Sequence, residues 1–283
     1  KYITNSSLIY KLIGELQNMR AGNNDWMQAR EFQAETYGYD KYLGGCHMIP
    51  NHAIIILSLL FGDDDLQKTL MIVNTAGHDT DCNSGNVGCI MGIKNGLEGL
   101  RNGPDYLTPI QDRMYCPTAN GGETQTDALT EAYKVINTAK KMNKEETVEP
   151  KNGSRFHFEM PGSVQGWRSS FKNNKNISTI VQNTEYESSI GKRALEIKFD
   201  RVAPGVCSEA VVDTFFPQEL YELTGSARER FFQSYNFISC PLLYSGQNIE
   251  SEIIFKSNSQ KPITVTCFIN VFGDEDNYER INS

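Results

Sequence analysis

The sequence predicts an all-α domain over residues 1–143, a linker over 144–153, and an all-β antiparallel sandwich or jelly roll over 154–283. Three observations carry this reading. In the first half, apolar residues recur at three- and four-residue spacing, the period of one helical face. From Met142 to Gly153 that pattern gives way to charge, as in Asn143-Lys144-Glu145-Glu146-Thr147-Val148-Glu149-Pro150, the composition of an exposed linker. Beyond it the apolar period shortens to two, as in half-buried strands.

The first helix is written by Leu8, Ile9, Leu12, Ile13, Leu16 and Met19, and its polar end by Asn18, Arg20 and Gly22. A second begins near Pro50, because a first-turn proline sacrifices no hydrogen bond, and runs to Phe61 through a stretch apolar on most sides. Asp63, Asp64 and Asp65 precede Leu66, Leu70 and Val73, as acidic residues do at the positive end of a helix. A metal site is the alternative reading of that triplet. Leu129, Ala132, Tyr133, Ile136 and Ala139 form a later stripe that ends in Lys140, Lys141 and Lys144, cations suited to a helix C-terminus. In the second half, Leu195, Ile197 and Phe199 alternate with charged residues, and Ile263, Val265, Cys267, Ile269 and Val271 alternate over nine positions. Breaks such as Met160-Pro161-Gly162-Ser163 and Lys256-Ser257-Asn258-Ser259 separate short strands, which is the pattern of a sandwich.

Composition excludes several classes. The 283 residues carry 27 basic and 35 acidic side chains, a formal charge of −8, with no basic cluster to track a phosphate backbone, so nucleic acid is not an expected partner. The longest apolar run, Ala53 to Phe61, is interrupted by Ser58 and falls far short of the roughly 20 residues that cross a bilayer. No membrane association is expected, and the compartment is not legible. Seven cysteines are widely spaced with no Cys-x-x-Cys pair, which disfavours zinc knuckles and a dense disulfide framework. His47, His52 and His78 match no zinc spacing. Neither a P-loop nor a nucleophile elbow is present. Residues 1–150 carry 13 basic and 19 acidic side chains, so most of the negative excess, and the expected cation site, lies in the helical half.

The chemistry concentrates in Asn74-Thr75-Ala76-Gly77-His78-Asp79-Thr80-Asp81-Cys82-Asn83-Ser84. Asp79 and Asp81 stand two apart between helices, where a bent backbone aims both carboxylates at one centre, and such hard oxygen ligands suit Mg²⁺, Ca²⁺ or Mn²⁺. Taken alone, the pair also fits a solvated turn or a helix cap. Ser84, Gly88, Gly92 and Gly96 follow at four-residue intervals, a smooth stripe on which another backbone is expected to approach closely; each interior glycine costs roughly 1 kcal/mol against alanine.

This run, together with His47-Met48-Ile49-Pro50-Asn51, Gly62-Asp63-Asp64-Asp65 and Asn102-Gly103-Pro104-Asp105-Tyr106-Leu107, resembles the second metal-binding motif and its surroundings in the ADP-ribosylglycohydrolase family, over roughly residues 5–143. The resemblance implies an all-α fold and a pair of Mg²⁺ ions, with Mn²⁺ as an alternative. Asp79 and Asp81 would be metal ligands, with Thr80 and Cys82 adjacent to the metal. It implies hydrolysis of the bond from ribose C1 of ADP-ribose to an acceptor, with ADP-ribosylated substrate or ADP-ribose as partner. Ile49, Asn51 and Asn83 would face the substrate, Asn83 at a helix start that offers free N–H groups. No catalytic acid or base is assigned.

Two departures accompany the resemblance. Cys82 stands where the family has Thr or Ser, and a thiol is a poor ligand for a hard cation. The family's first metal motif, Thr-Asp-Asp, is absent from this sequence, which therefore reads as the C-terminal part of a catalytic domain with an appended module. That module resembles, loosely, the jelly rolls attached to carbohydrate-active enzymes, with Trp167 as the aromatic that would stack on a glycan. The competing reading is a non-catalytic binding protein with a degenerate metal site and a glycan- or protein-binding β-sandwich.

Overall fold

The structure is a computed structural model that describes residues 3–22, 25–115, 123, 125–170, 179–199, 208–215, 223–234, 241–272 and 278–282. The first half is helical: α1 Leu8–Ala21, α2 Trp26–Tyr37, α3 Met48–Phe61, α4 Leu66–Thr75, α5 Thr80–Arg101 and, after a short hairpin, α6 Ala128–Met142. The hairpin pairs β1 Arg113–Tyr115 with β2 Gln125–Asp127.

Local chemistry sets the helix starts. Ser7 caps α1 by accepting from the Tyr10 amide at 3.2 Å. Asp25 and Gln28 form a reciprocal capping box at α2. Asp65 caps α4 by accepting from Lys68 N at 2.6 Å, so one member of the acidic triplet is a cap as expected. The other two pair with cations: Asp63 with Arg20 at 2.6 Å and with Lys68, and Asp64 with Lys94.

α3 is the centre of the helical half. Ala53, Leu57 and Phe61 face a core shared with Leu12 and Leu16 of α1, Ala29 and Tyr37 of α2 and Ile72 of α4. Ile54 points the other way, into a second cluster with Leu66 and Val73 of α4 and Val87 and Met91 of α5. Full burial of an aliphatic side chain contributes about 1.5–3 kcal/mol, so these two clusters hold the five helices together.

The glycine stripe behaves differently from the expectation. A Cβ added at Gly92 or Gly96 meets nothing within 4 Å, and at Gly88 only the Leu70 side chain at 3.8 Å. Among the described residues no close backbone approach forms there; α5 is anchored instead by Val87 and Met91, on another face. At Gly96 the helix breaks, with φ 61° and ψ −164°, a conformation that only glycine adopts without strain. The stripe predicted on α6 buries Leu129, while Ile136 and Ala139 are exposed.

The second half forms small antiparallel pairs. β3 Arg168–Ser169 pairs with β6 Ala210–Val211, and β4 Thr179–Glu185 with β5 Arg193–Phe199; α7 Gly225–Ser234 follows, and β7 Phe268–Phe272 pairs with β8 Tyr278–Asn282. The expected strand at Leu195 to Phe199 is therefore present in β5. The expected nine-position strand from Ile263 is reduced to its end, because residues 251–267 find no ladder partner among the described residues. Each sheet has two strands, and among the described residues they do not join into the anticipated sandwich or jelly roll.

Contacts divide the chain into compact units Lys1–Leu242 and Leu243–Ser283. Within the first unit, residues 144–153 run back along α6, where Asn137 exchanges two hydrogen bonds with Val148, at 3.0 and 2.8 Å. A polar network then ties the hairpin to the following segment. Ser163 donates to buried Asp112 at 2.7 Å, Arg155 donates to the Gln125 carbonyl at 2.9 Å, and Arg168 grips Asp213 with two bonds at 2.6 and 3.0 Å. Tyr115 donates to the same Asp213, and burial with that carboxylate pushes its hydroxyl up to about 12.

Candidate metal centre

The site is built on the turn between α4 and α5. Gly77 takes φ +94°, open to glycine, and Asp79 takes the left-handed φ 45°, ψ 55°, which aspartate tolerates better than most side chains. Asp79 is the N-cap of α5, yet its carboxylate makes no capping bond. It turns instead towards α3, where Asn51 Nδ2 donates to its Oδ2 at 2.5 Å. Asp81 sits in the first turn of α5 and Cys82 follows. One donor atom from each of Asp79, Asp81 and Cys82 lies within 4.8 Å of the others, Asp79 half-buried and the other two exposed.

Neighbouring helices hold this turn from behind. Arg30 Nε of α2 donates to the Ala76 carbonyl. Gln33 Nε2 lies 3.5 Å from His78 Nδ1, and the Tyr39 ring lies over the His78 ring with centroids 4.4 Å apart. Burial, then the nearby Arg30 charge, lowers the His78 pKa and keeps the ring neutral. Asn83, 1% exposed, donates to the His78 carbonyl at 2.7 Å.

The two thiols beside the carboxylates are both held protonated. A hydrogen bond to Asp79, then the Asp79 and Asp81 charges, raise the Cys82 pKa. The Asp79 charge is the main cause of the rise at Cys46. Neither cysteine forms a disulfide.

The structure thus gathers Asp79, Asp81 and Cys82 at one point, with Thr80 between them opening α5, and brings Asn51 onto Asp79. It does not present Asn83 to a ligand: the side chain is buried and bound to its own turn. Ile49 is half-buried, packing on the α1–α4 core. Trp167 lies far along the sequence, half-buried, with its ring edge-on to Phe156 at 5.9 Å. His47 serves as a cap, its Nδ1 accepting from Ile49 N at 3.1 Å. Tyr39, Gln33, Arg30 and Cys46 escaped the sequence reading, since none belongs to a recognisable motif.

A family model described as ADP-ribosylglycohydrolase matches residues 5–141, which hold this entire turn and every helix that supports it. Residues 5–141 belong to the ADP-ribosylglycohydrolase family. No curated protein and no solved structure matches the chain.

Metal dependence is a property of ADP-ribosylglycohydrolases, and the donor set supports it. Two carboxylates suit a hard divalent cation, whereas a thiol, which Asp79 and Asp81 keep protonated at Cys82, is a poor ligand for one.

Proposed function

We propose that the protein is a metal-dependent glycohydrolase that cleaves the glycosidic bond between ADP-ribose and an acceptor. The supporting observation is the convergence of Asp79 and Asp81, inside the family match, on one half-open corner. Asp79 and Asp81 would hold Mg²⁺, or Mn²⁺ in its place. When bound, such an ion orients ribose hydroxyls and makes water a better nucleophile. This chain's own residues prepare the corner: Asn51 fixes one carboxylate, and Asn83 and Arg30 fix the backbone that carries it. Ile49, at the start of α3, and Asn51, through the one amide N–H not given to Asp79, would border the ADP-ribose.

Hydrolysis of ADP-ribosylated arginine and serine peptides, with Mg²⁺ and after chelation, tests this reading. Activity that needs the ion and disappears in Asp79→Asn and Asp81→Asn supports it. Ion-independent activity, or activity that survives both substitutions, refutes it.

One observation favours the rival reading of a non-catalytic binder: Cys82 occupies a ligand position and is held as a thiol. Tight ADP-ribose binding without turnover, in the presence of Mg²⁺, would select that reading. We further read residues 154–283 as a module of jelly-roll type, with Trp167 as its glycan contact. Its support is the period-two sequence pattern, the short antiparallel pairs and the partial exposure of Trp167 as a residue.

A further inference from the structure

Asp79 and Asp81 carry like charges within 4.8 Å, and repulsion drives two such carboxylates apart unless something holds one of them. Asp79 has no capping bond to α5 that would do so. It is held from α3, where Asn51 Nδ2 donates to Oδ2 at 2.5 Å. An asparagine amide can present either end to a neighbour, and only its N–H end attracts a carboxylate. The group at the other end of this amide is Tyr39, whose hydroxyl donates to Asn51 Oδ1. Donation to Oδ1 pins the amide with Nδ2 facing Asp79 and polarises the N–H, strengthening the bond it makes.

The same tyrosine also reaches the backbone of the corner. Its ring covers the ring of His78, the residue before Asp79, with centroids 4.4 Å apart and planes 30° apart. Tyr39 lies just beyond α2, so it joins this segment to α3 and to the α4–α5 turn in one contact set. Burial, then the Asp79 charge, raises its pKa, which keeps the hydroxyl a donor.

We propose that Tyr39 is a positioning residue: through Asn51 it aims the Asp79 carboxylate, and through His78 it seats the turn beneath it. The proposal rests on the reading of Asp79 as a metal ligand for its functional consequence, but the strut itself exists without an ion. Asn51 then acts chiefly behind the carboxylate, with its Oδ1 and one N–H already committed.

Tyr39→Phe removes the hydroxyl and keeps the ring over His78. Two measurements on the full chain test the strut. The first needs no ion: NMR of the Asn51 side-chain amide and of the Asp79 carboxyl carbon. Both signals are expected to move in Tyr39→Phe towards the positions of unbonded groups, and unchanged signals overturn the proposal. The second is Mn²⁺ titration by calorimetry. Tyr39→Phe is expected to weaken binding about tenfold, as loss of an outer hydrogen bond does at metal sites. In an Asn51→Ala background the same substitution is expected to weaken it no further, because the route to Asp79 is already cut. Equal Mn²⁺ affinity in wild type and Tyr39→Phe, or full additivity with Asn51→Ala, overturns the proposal. A wild-type chain that ignores Mn²⁺ while the NMR signals respond as expected leaves the strut standing and refutes the metal reading instead.

Discussion

Asn83 gives the sharpest test of how the α4–α5 turn is built. Asn83 is 1% exposed, and its amide donates at 2.7 Å to the part-buried His78 carbonyl. Asn83→Ala removes the partner of that part-buried carbonyl, at a cost of about 1–3 kcal/mol, while alanine's better helix propensity returns roughly 0.5 kcal/mol. The net expected loss is about 0.5–2.5 kcal/mol. The matched control is Asn86→Ala on the exposed face of α5, where the amide bonds the Cys82 carbonyl at 3.0 Å beside water; it should stay within about 0.5 kcal/mol of wild type. Urea unfolding followed by helical circular dichroism measures both variants. Amide hydrogen exchange at Asp79 and Thr80 then locates the loss, and it should rise in Asn83→Ala alone. Equal stability of the two variants, with unchanged exchange at the turn, would show that the buried amide does not hold the corner.

Three further outcomes are expected. Cys82→Thr replaces a thiol held protonated by Asp79 with a hydroxyl that a hard cation accepts, so calorimetry should show tighter Mg²⁺ binding, and weaker binding would contradict the ligand assignment. The Tyr115 hydroxyl, pushed up to about 12 from 10.0, binds its proton more tightly folded than unfolded. Its contribution is therefore complete below pH 10 and lost as pH climbs through about 12; unfolding free energy should fall across that window, and less steeply in Tyr115→Phe. Leu16→Ala, in the fully buried α1 core position, should cost about 2–5 kcal/mol in urea unfolding, whereas Ile93→Ala, 83% exposed on α5, should change stability by about 0.5 kcal/mol or less.

How much the sequence revealed depended on whether the signal was local. α1, α3 and α4 were legible because Leu12, Leu16, Ile54, Leu57 and Val73 repeat at helical spacing and are the residues that the cores bury. α2 was not legible: its buried positions are Ala29, Gln33 and Tyr37, a small, a polar and an aromatic residue that make no apolar stripe. Its one local mark was Asp25 with Gln28, the capping box. Asp79 and Asp81 were found because they are near in sequence, and Asn51 because it sits in a recognisable run. Tyr39 and Arg30 act across 12 and 46 positions, a separation that no periodicity encodes. The strands were misjudged in extent because alternation records which face of a strand is apolar and says nothing of whether a partner strand lies alongside.

The two-sided packing of α3 has a mechanical result. One turn of this helix feeds Ile54 to one core and Ala53 and Leu57 to the other, and the next turn towards its start carries Asn51. A cavity opened on either side therefore tips the rod that grips Asp79. On the proposed metal reading, ion affinity is expected to gauge packing faults some distance away, so that substitutions that never touch the corner register there before the protein unfolds.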